Sequence, residues 1–316
     1  MARGLSSLPN ETLSLILSQF CLHCSRGRNY DSPDGHFRDP RPRDGEQVQD
    51  PDEPAWYSHD YRKTLYSMCL VSKRFQSIAQ SVLHHEFIPG YGDAWRSTTF
   101  SWDGRLVSFV RTLAARPDLA ALVKRIYIHC YLLQAIAEKE AESVPEMVGM
   151  LLALVPNLER LSFLVEGGDG NILARALPNL TTSSALKPRP LIKLDALDIC
   201  DRSLDFSYGH HTSSILEGMA GISTFGELNL HMYAGTTLQL QKGSLQNLSA
   251  VRITHSRLAT CDLASLFGSI AVPGLKSFVY EATHPNLDLS PCWGPCRLRS
   301  PSFPSFESMT YLPNRT

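Results

Sequence analysis

Residues 158–163 read LERLSF, and the spacing of their apolar side chains sets the pattern for more than half of the chain. Apolar or aromatic residues occupy the first, fourth and sixth positions of this stretch. Alternation over the last three positions is typical of a short strand with one buried face. The same spacing occurs in VKRIYI at 123–128, LDALDI at 194–199, FGELNL at 225–230, LSAVRI at 248–253, LKSFVY at 275–280 and FESMTY at 306–311.

The patches recur at intervals that fit one supersecondary unit. Their central residues are 23 to 36 positions apart, and helical patterns at 144–155, 213–220 and 259–270 fall between them. A strand with a helix in each repeat predicts an α/β fold built on a parallel sheet. The pattern resembles a degenerate leucine-rich repeat, and this resemblance implies an irregular solenoid over residues 121–316.

Positions between the apolar ones are where such a solenoid would meet another protein. The resemblance implies that the sheet presents these side chains to a target, so we expect them to be exposed. They include Lys124, Arg125, Tyr127, Glu159, Arg160, Ser162, Asp195, Asp198, Glu227, Asn229, Arg252, Thr254, Lys276 and Ser277. A repeat stack normally carries a terminal cap. Either residues 290–304 fold over the last strand or the solenoid is truncated here and continues in a longer chain.

The N-terminal region has helical rather than strand-like patterning. Residues 8–20 read LPNETLSLILSQF, in which apolar side chains recur at the three- and four-residue spacing of one helix face. Pro9 suits the first turn of this helix because its missing N–H is not needed there. Residues 61–87 contain two further amphipathic patterns, separated at Val71-Ser72, and Ser72 can cap the second helix.

A polar insert separates these helical segments. Residues 21–55 contain 13 charged residues and five prolines but almost no aliphatic side chains. Such a composition buries too little apolar surface to offset the loss of chain entropy on folding. The sequence therefore predicts a disordered insert, which we place at 21–58.

The residues on either side of the insert carry a second resemblance. Leu8-Pro9-x-Glu11-x-Leu13-x-x-Ile16-Leu17, together with the later run from Leu65 through LVSKRF at 70–75, resembles the two halves of an F-box of fungal type. That family's helical module docks onto the adaptor subunit of a cullin–RING ubiquitin ligase. The remainder of an F-box chain holds the substrate.

The F-box resemblance implies a set of adaptor-binding residues. They have in common that they are apolar or lie next to the junction between the two later helices. They are Leu8, Pro9, Leu13, Ile16, Leu17, Leu65, Leu70, Val71, Ser72, Lys73 and Phe75. Apolar side chains of this kind form the core of many interfaces, but for Leu17 and Phe75 an inward position within the three helices is an equal alternative.

Together the patterns predict a three-part chain of the α/β class. Residues 1–90 are an F-box-like helical module interrupted by the insert, residues 91–120 are a helical connector, and residues 121–316 are the leucine-rich-repeat-like solenoid. The resemblance implies a substrate-recognition subunit of an SCF-type ubiquitin ligase, with the adaptor and an unknown protein substrate as partners. An alternative is a scaffold protein in which the N-terminal helices only cap the solenoid.

Composition and motifs exclude several other functions. Lys and Arg total 30 against 31 Asp and Glu, so the net charge gives no reason to expect a nucleic acid or membrane partner. No apolar run is long enough to span a bilayer, and we expect a cytoplasmic or nuclear protein. None of the common motifs for a nucleophile, a phosphate loop or a catalytic metal is present, so we predict no enzymatic activity and no cofactor.

The cysteine content gives only a weak metal signal. Cys21-Leu22-His23-Cys24 has the Cys-x-x-Cys spacing of zinc sites, and His36 or His59 could complete a set of four ligands. A second Cys-x-x-Cys pair at a suitable distance is absent from the sequence. On this basis the sequence predicts no metal site.

Overall fold

The computed structural model divides the chain into two compact units, Met1–Tyr127 and Ile128–Thr316. The structure describes residues 5–21, 23–24, 54–87, 102–129, 144–165, 194–201, 215–216, 218–219, 225–232, 238, 240–256, 260–270, 274–282 and 309–311. This division differs from the predicted boundaries at 90 and 120, because the connector belongs to the first unit. Each unit is described separately below.

Three helices form the N-terminal part of the first unit. A 3-10 turn at Leu5–Ser7 precedes α1 (Asn10–Ser18), and α2 (Pro54–Val71) and α3 (Lys73–Leu83) follow. Both α1 and α2 pack against α3. Their buried cluster contains Leu17, Cys21, Leu65, Ala79 and Val82. Apolar residues three or four positions apart therefore build one core, as the sequence pattern predicts.

Two boundaries of this helical region require correction. Helix α2 already begins at Pro54, so residues 54–58 are helical instead of belonging to the insert. Proline at the first position of a helix is favourable, although the largely polar run at 58–64 interrupts the helical period. At the other end of the predicted insert, Cys21 is buried in the core. The rest of the predicted insert, residue 22 and residues 25–53, lies outside the described residues.

A short strand follows α3 where the sequence predicts continued helix. Strand β1 (Glu86–Phe87) pairs in parallel with β2 (Arg125–His129), and α4 (Trp102–Ala115) and α5 (Pro117–Ala120) lie between them in sequence. The ring of Phe87 stacks on that of Phe109 with centroids 4.5 Å apart. The predicted connector is helical at 102–115 and 117–120, whereas residues 91–101 lie outside the described residues, and β1 joins these helices to the three N-terminal helices in one unit.

The second unit is a mixed α/β structure with an all-parallel sheet. Its strands are β3 (Arg160–Val165), β4 (Ala196–Asp201), β5 (Glu227–Met232), β6 (Ala250–Ser256), β7 (Ser277–Ala282) and β8 (Met309–Tyr311), each hydrogen-bonded to the next in chain order. Helix α6 (Val144–Leu154) precedes β3, and α7 (Thr260–Ser269) lies between β6 and β7. The predicted α/β class and parallel sheet are confirmed.

Register within the sheet follows the apolar spacing of the patches. Leu161 is aligned with Leu197, Leu197 with Leu228 and Leu228 with Val251, so equivalent positions stack in a row. Each of these side chains is almost completely buried. Of the predicted helices, those at 144–155 and 259–270 are present, and 213–220 is helical at the few positions described.

Neighbouring strands are linked at their starts by the same pair of backbone hydrogen bonds. The Glu159 carbonyl accepts hydrogen bonds from the N–H groups of Asp195 and Ala196, and the Asp195 carbonyl accepts from Gly226 and Glu227. The carbonyls of Gly226 and Ser249 accept the same pair of hydrogen bonds from the residues at the starts of β6 and β7. The His85 carbonyl accepts such a pair from the residues at the start of β2. The residue before β1 therefore accepts the same pair of backbone hydrogen bonds as the residues before the strands of the patches.

Several intervening positions of the patches are buried, against expectation. Ser162, Asp198 and Asn229 are almost inaccessible, as are Arg125 and Tyr127 in β2, whereas Asp195 and Lys276 are exposed. Asp198 accepts two hydrogen bonds from Arg160, at 2.7 and 2.9 Å, one from Ser162 at 2.6 Å and one from Asn229 at 2.8 Å. The buried carboxylate is thus satisfied within the sheet and does not offer a surface to a partner.

Candidate functional site

The junction between α2 and α3 is built around one serine. Ser72 has an extended backbone, and its hydroxyl accepts a hydrogen bond from the Phe75 N–H at 3.2 Å. This cap ends one helix and starts the next within a single residue. Leu70 and Val71, at the end of α2, remain 71% and 62% exposed. Adjacent exposed aliphatic side chains are a candidate contact for another protein.

Arg74 brings the beginning of α1 to this junction. Its guanidinium donates a hydrogen bond to Asn10 Oδ1 at 2.7 Å and a second to the Leu8 carbonyl oxygen. The segment that starts α1, from before the insert, is therefore tied to the first turn of α3, from after it. Residues from the two halves of the predicted pattern are thus in contact although they are 64 and 66 positions apart in sequence.

We define the docking surface as the predicted residues whose side chains remain accessible. Leu8 is half-buried, and the others are exposed. The docking surface consists of Leu8, Pro9, Ile16, Leu70, Val71, Ser72 and Lys73.

Four other predicted site residues are buried and need correction. Leu13, Leu17, Leu65 and Phe75 each expose less than a tenth of their surface. They lie on the inward faces of the three helices, because α1 and α2 both use those faces to pack against α3. Their role is to hold the helices together and so to position the accessible residues.

Further exposed apolar residues lie on the same helices and were not part of the predicted set. Leu5 lies in the 3-10 turn, Leu15 in α1 and Tyr66 in α2, and all three are exposed. Leu15 lies off the Leu13–Leu17 face of α1, which is the signal that identifies it as an outward apolar residue. These residues extend the apolar character of the module beyond the docking surface itself.

A cluster of four sulfur- and nitrogen-bearing side chains lies at the opposite end of α1. One potential ligand atom from each of Cys21, His23, Cys24 and His85 is within 4.8 Å of all the others. The Cys24 N–H donates to the Cys21 carbonyl at 3.2 Å, and this tight turn places both thiols on one side. His85 comes from the segment between α3 and β1, where its carbonyl accepts from Lys124 and Arg125.

Glu86 is hydrogen-bonded to two residues of the cluster. Its buried carboxylate accepts a hydrogen bond from Cys21 Sγ at 3.3 Å and another from the backbone N–H of His23. The backbone of the turn at 21–24 is therefore tied to β1 through Glu86. A carboxylate in this position orients the side chains around it.

The two thiols differ in acidity. The pKa of Cys24 is lowered to about 3, chiefly by the hydrogen bond from the Cys21 side chain and further by contacts with His23 and His85. The pKa of Cys21 is raised, first by that shared hydrogen bond, then by burial and by the negative charge of Glu86. The lowered pKa of Cys24 favours its thiolate, the form of cysteine that binds metals.

The sequence prediction of no metal site did not take His85 into account. Of the two histidines considered there, His36 lies outside the described residues, and the side chain of His59 is not described. His85 follows Cys24 by 61 residues and belongs to a different element, so no local spacing could identify it. The Cys-x-x-Cys signal was present but incomplete without the tertiary contact.

Comparisons with known proteins leave the family open. No protein-family model matches this chain, and no curated protein matches it significantly. Among the described residues, no helix is both long enough and apolar enough to cross a bilayer.

Proposed function

We propose that this chain is a substrate-recognition subunit of an SCF-type cullin–RING ubiquitin ligase. The first unit would dock onto the adaptor subunit, and the second would present a target protein. The observation that carries the proposal is the exposed Leu70–Val71 pair at the helix junction whose Arg74 is hydrogen-bonded to the Leu8 carbonyl. Leu8, Leu70 and Val71 are positions at which the F-box resemblance implies contact with the adaptor.

The shape and chemistry of the docking surface suit an apolar groove on the partner. Leu70 and Val71 offer aliphatic anchors at the tip of a capped helix junction, and a capped junction loses little conformational freedom on binding. Lys73, which is exposed, follows directly and would lie at the polar rim of the interface. A groove with acidic groups at its edge would match both features.

The contribution of such a subunit to ubiquitin transfer is proximity. Holding a target next to a charged ubiquitin carrier turns a bimolecular encounter into a local one, so no side chain of this chain takes part in bond formation. The target would be selected by exposed residues near the strand starts, such as Asp195 and Lys276. The buried Asp198 network would keep the neighbouring strands in register.

The leucine-rich-repeat assignment of the second unit belongs to the same proposal. Support comes from the parallel strands in chain order, from the stacked apolar rows and from the repeated pair of backbone hydrogen bonds at the strand starts. A scaffold protein whose helices merely cap the solenoid is the competing function. The exposure of Leu70 and Val71 favours docking, since a cap would have no need for aliphatic residues facing solvent.

Affinity capture of the full-length chain from a eukaryotic host tests the proposal. We expect the wild type to recover the adaptor and its cullin, and a Leu70→Asp/Val71→Asp double variant to recover neither. Met150→Asp is the matched control, because Met150 is an exposed apolar residue of α6 in the other unit. Proteasome inhibition should add target proteins to the wild-type sample. Failure of the wild type to recover the adaptor, or equal recovery by the double variant, contradicts the proposal.

A further inference from the structure

We propose that Cys21, His23, Cys24 and His85 form a structural zinc site in the first unit. The proposal rests on the position of these four side chains and is independent of adaptor docking. All four residues belong to the same compact unit, and their ligand atoms already share a space small enough for one ion.

Three sulfur–nitrogen distances in the cluster are close to those of tetrahedral coordination. In a tetrahedral zinc site the Zn–S distance is about 2.3 Å and the Zn–N distance about 2.1 Å. A sulfur and a nitrogen ligand of one ion therefore lie about 3.6 Å apart. Here His85 Nδ1 is 3.2 Å from Cys24 Sγ and 3.8 Å from Cys21 Sγ. His23 Nδ1 is 3.5 Å from Cys24 Sγ. The rings of His23 and His85 are nearly perpendicular, with an interplanar angle of 80°, so both can direct a nitrogen to one point without stacking.

The donor set favours zinc over magnesium and calcium. Two thiolates and two imidazoles in tetrahedral array are typical of zinc, whereas magnesium and calcium require oxygen ligands. Four protein ligands leave no open position for water or substrate, so the site would be structural rather than catalytic. Binding would release the proton of the Cys21 thiol, which donates to the Glu86 carboxylate. The backbone N–H of His23 would remain as a donor to that carboxylate.

The site would fasten two distant parts of the first unit. Cys21 and Cys24 follow the end of α1, and His85 precedes β1, so one ion would join residues separated by the insert and by two helices. Free energy of metal binding to a site that the unfolded chain lacks becomes folding free energy. The ion would thereby offset the entropy of closing a long connection between the two F-box-like halves.

Metal analysis of the purified full-length chain tests the site directly. We expect stoichiometric zinc after growth in zinc-containing medium and purification under reducing conditions without chelator. Exchange with cobalt should give the visible d–d bands of tetrahedral cobalt and a near-ultraviolet thiolate charge-transfer band. The spectrum reports two thiolate ligands independently of any activity.

Variants locate the ion. Cys24→Ser and His85→Gln should each weaken zinc affinity by more than about 100-fold, since loss of an outer-shell partner alone costs about 10- to 100-fold. Matched controls are Cys69→Ser, a half-buried thiol of the same core, and His84→Gln, the neighbouring histidine. Both controls should keep stoichiometric zinc.

Two results would overturn the inference. One is a folded wild type that holds no zinc after dialysis against zinc and gives no tetrahedral cobalt spectrum. The other is zinc retained equally by Cys24→Ser and His85→Gln. The wild-type measurement remains decisive even if the variants fail to fold.

Discussion

Two leucines of α1 that are only two positions apart lie in opposite environments. Leu17 belongs to the buried cluster of the three helices, whereas Leu15 is 68% exposed. The i, i+4 relation of Leu13 and Leu17 turns both toward α3, and Leu15 falls on the other side of the helix. Equal hydrophobicity therefore has different consequences at the two positions.

Alanine at these two positions should separate packing from surface effects. Leu17→Ala should lower the free energy of unfolding of the first unit by about 2–5 kcal/mol because it leaves a cavity in the core. Leu15→Ala should change it by less than about 0.5 kcal/mol. Urea denaturation of the full-length chain measures both, and equal losses for the two variants would contradict the packing described here.

The buried Asp198 offers a second test at the residue scale. Asp198→Ala removes the acceptor shared by Arg160, Ser162 and Asn229, and leaves their buried donors without it. We expect a loss of about 3–5 kcal/mol in the stability of the second unit. Asp195→Ala, at an exposed position beside it, is the control and should be nearly neutral. A thermal scan that shows no difference between the two would refute the network.

Sequence reasoning identifies apolar positions of single residues better than polar ones. The leucines of the patches are buried as their spacing predicts, because period alone decides which face they occupy. The exposure predicted for Ser162, Asp198 and Asn229 is wrong, since a polar residue can be buried wherever partners from neighbouring strands satisfy it. Such partners lie 31 to 38 residues away in sequence and cannot be inferred from local pattern.

At the scale of elements, the α2–α3 junction depends on the Ser72 cap. Ser72→Ala removes the acceptor for the Phe75 N–H and should reduce the stability of the first turn of α3 by about 1 kcal/mol. Ser72→Gly should cost only a few tenths of a kcal/mol, about 0.3, because glycine also tolerates the cap position. Hydrogen exchange of the α3 segment in the full-length chain reports the difference. Unchanged protection in Ser72→Ala would mean that the cap does not hold the junction.

Elements with strong periodicity are predictable, and their ends are less so. Each of the seven patches overlaps a strand over its last three or four residues, because two-residue alternation is a direct signal. The start of α2 at Pro54 and the strand at Glu86–Phe87 were missed. In the first case the largely polar run at 58–64 conceals the helical period. In the second, His84 and Pro89 replace apolar residues at the first and sixth positions of what is otherwise a patch-like stretch.

At the scale of the whole molecule, the chain joins two compact units with different surfaces. The first has exposed aliphatic residues at a helix junction, and the second has a parallel sheet whose rows of apolar side chains are buried. A division of this kind suits a protein that binds one partner through each unit. The half of the proposed function that concerns the adaptor depends on the first unit alone.

The dissociation constant between the purified full-length chain and the purified adaptor subunit tests the central claim most directly. Titration calorimetry should detect tight binding by the wild type. Val71→Asp should weaken it by at least about 100-fold, roughly 2.7 kcal/mol, because an unpaired carboxylate would be buried in an apolar interface. Met150→Asp should leave the constant unchanged. A wild type that does not bind, or a Val71→Asp variant that binds as tightly as the wild type, would contradict the account.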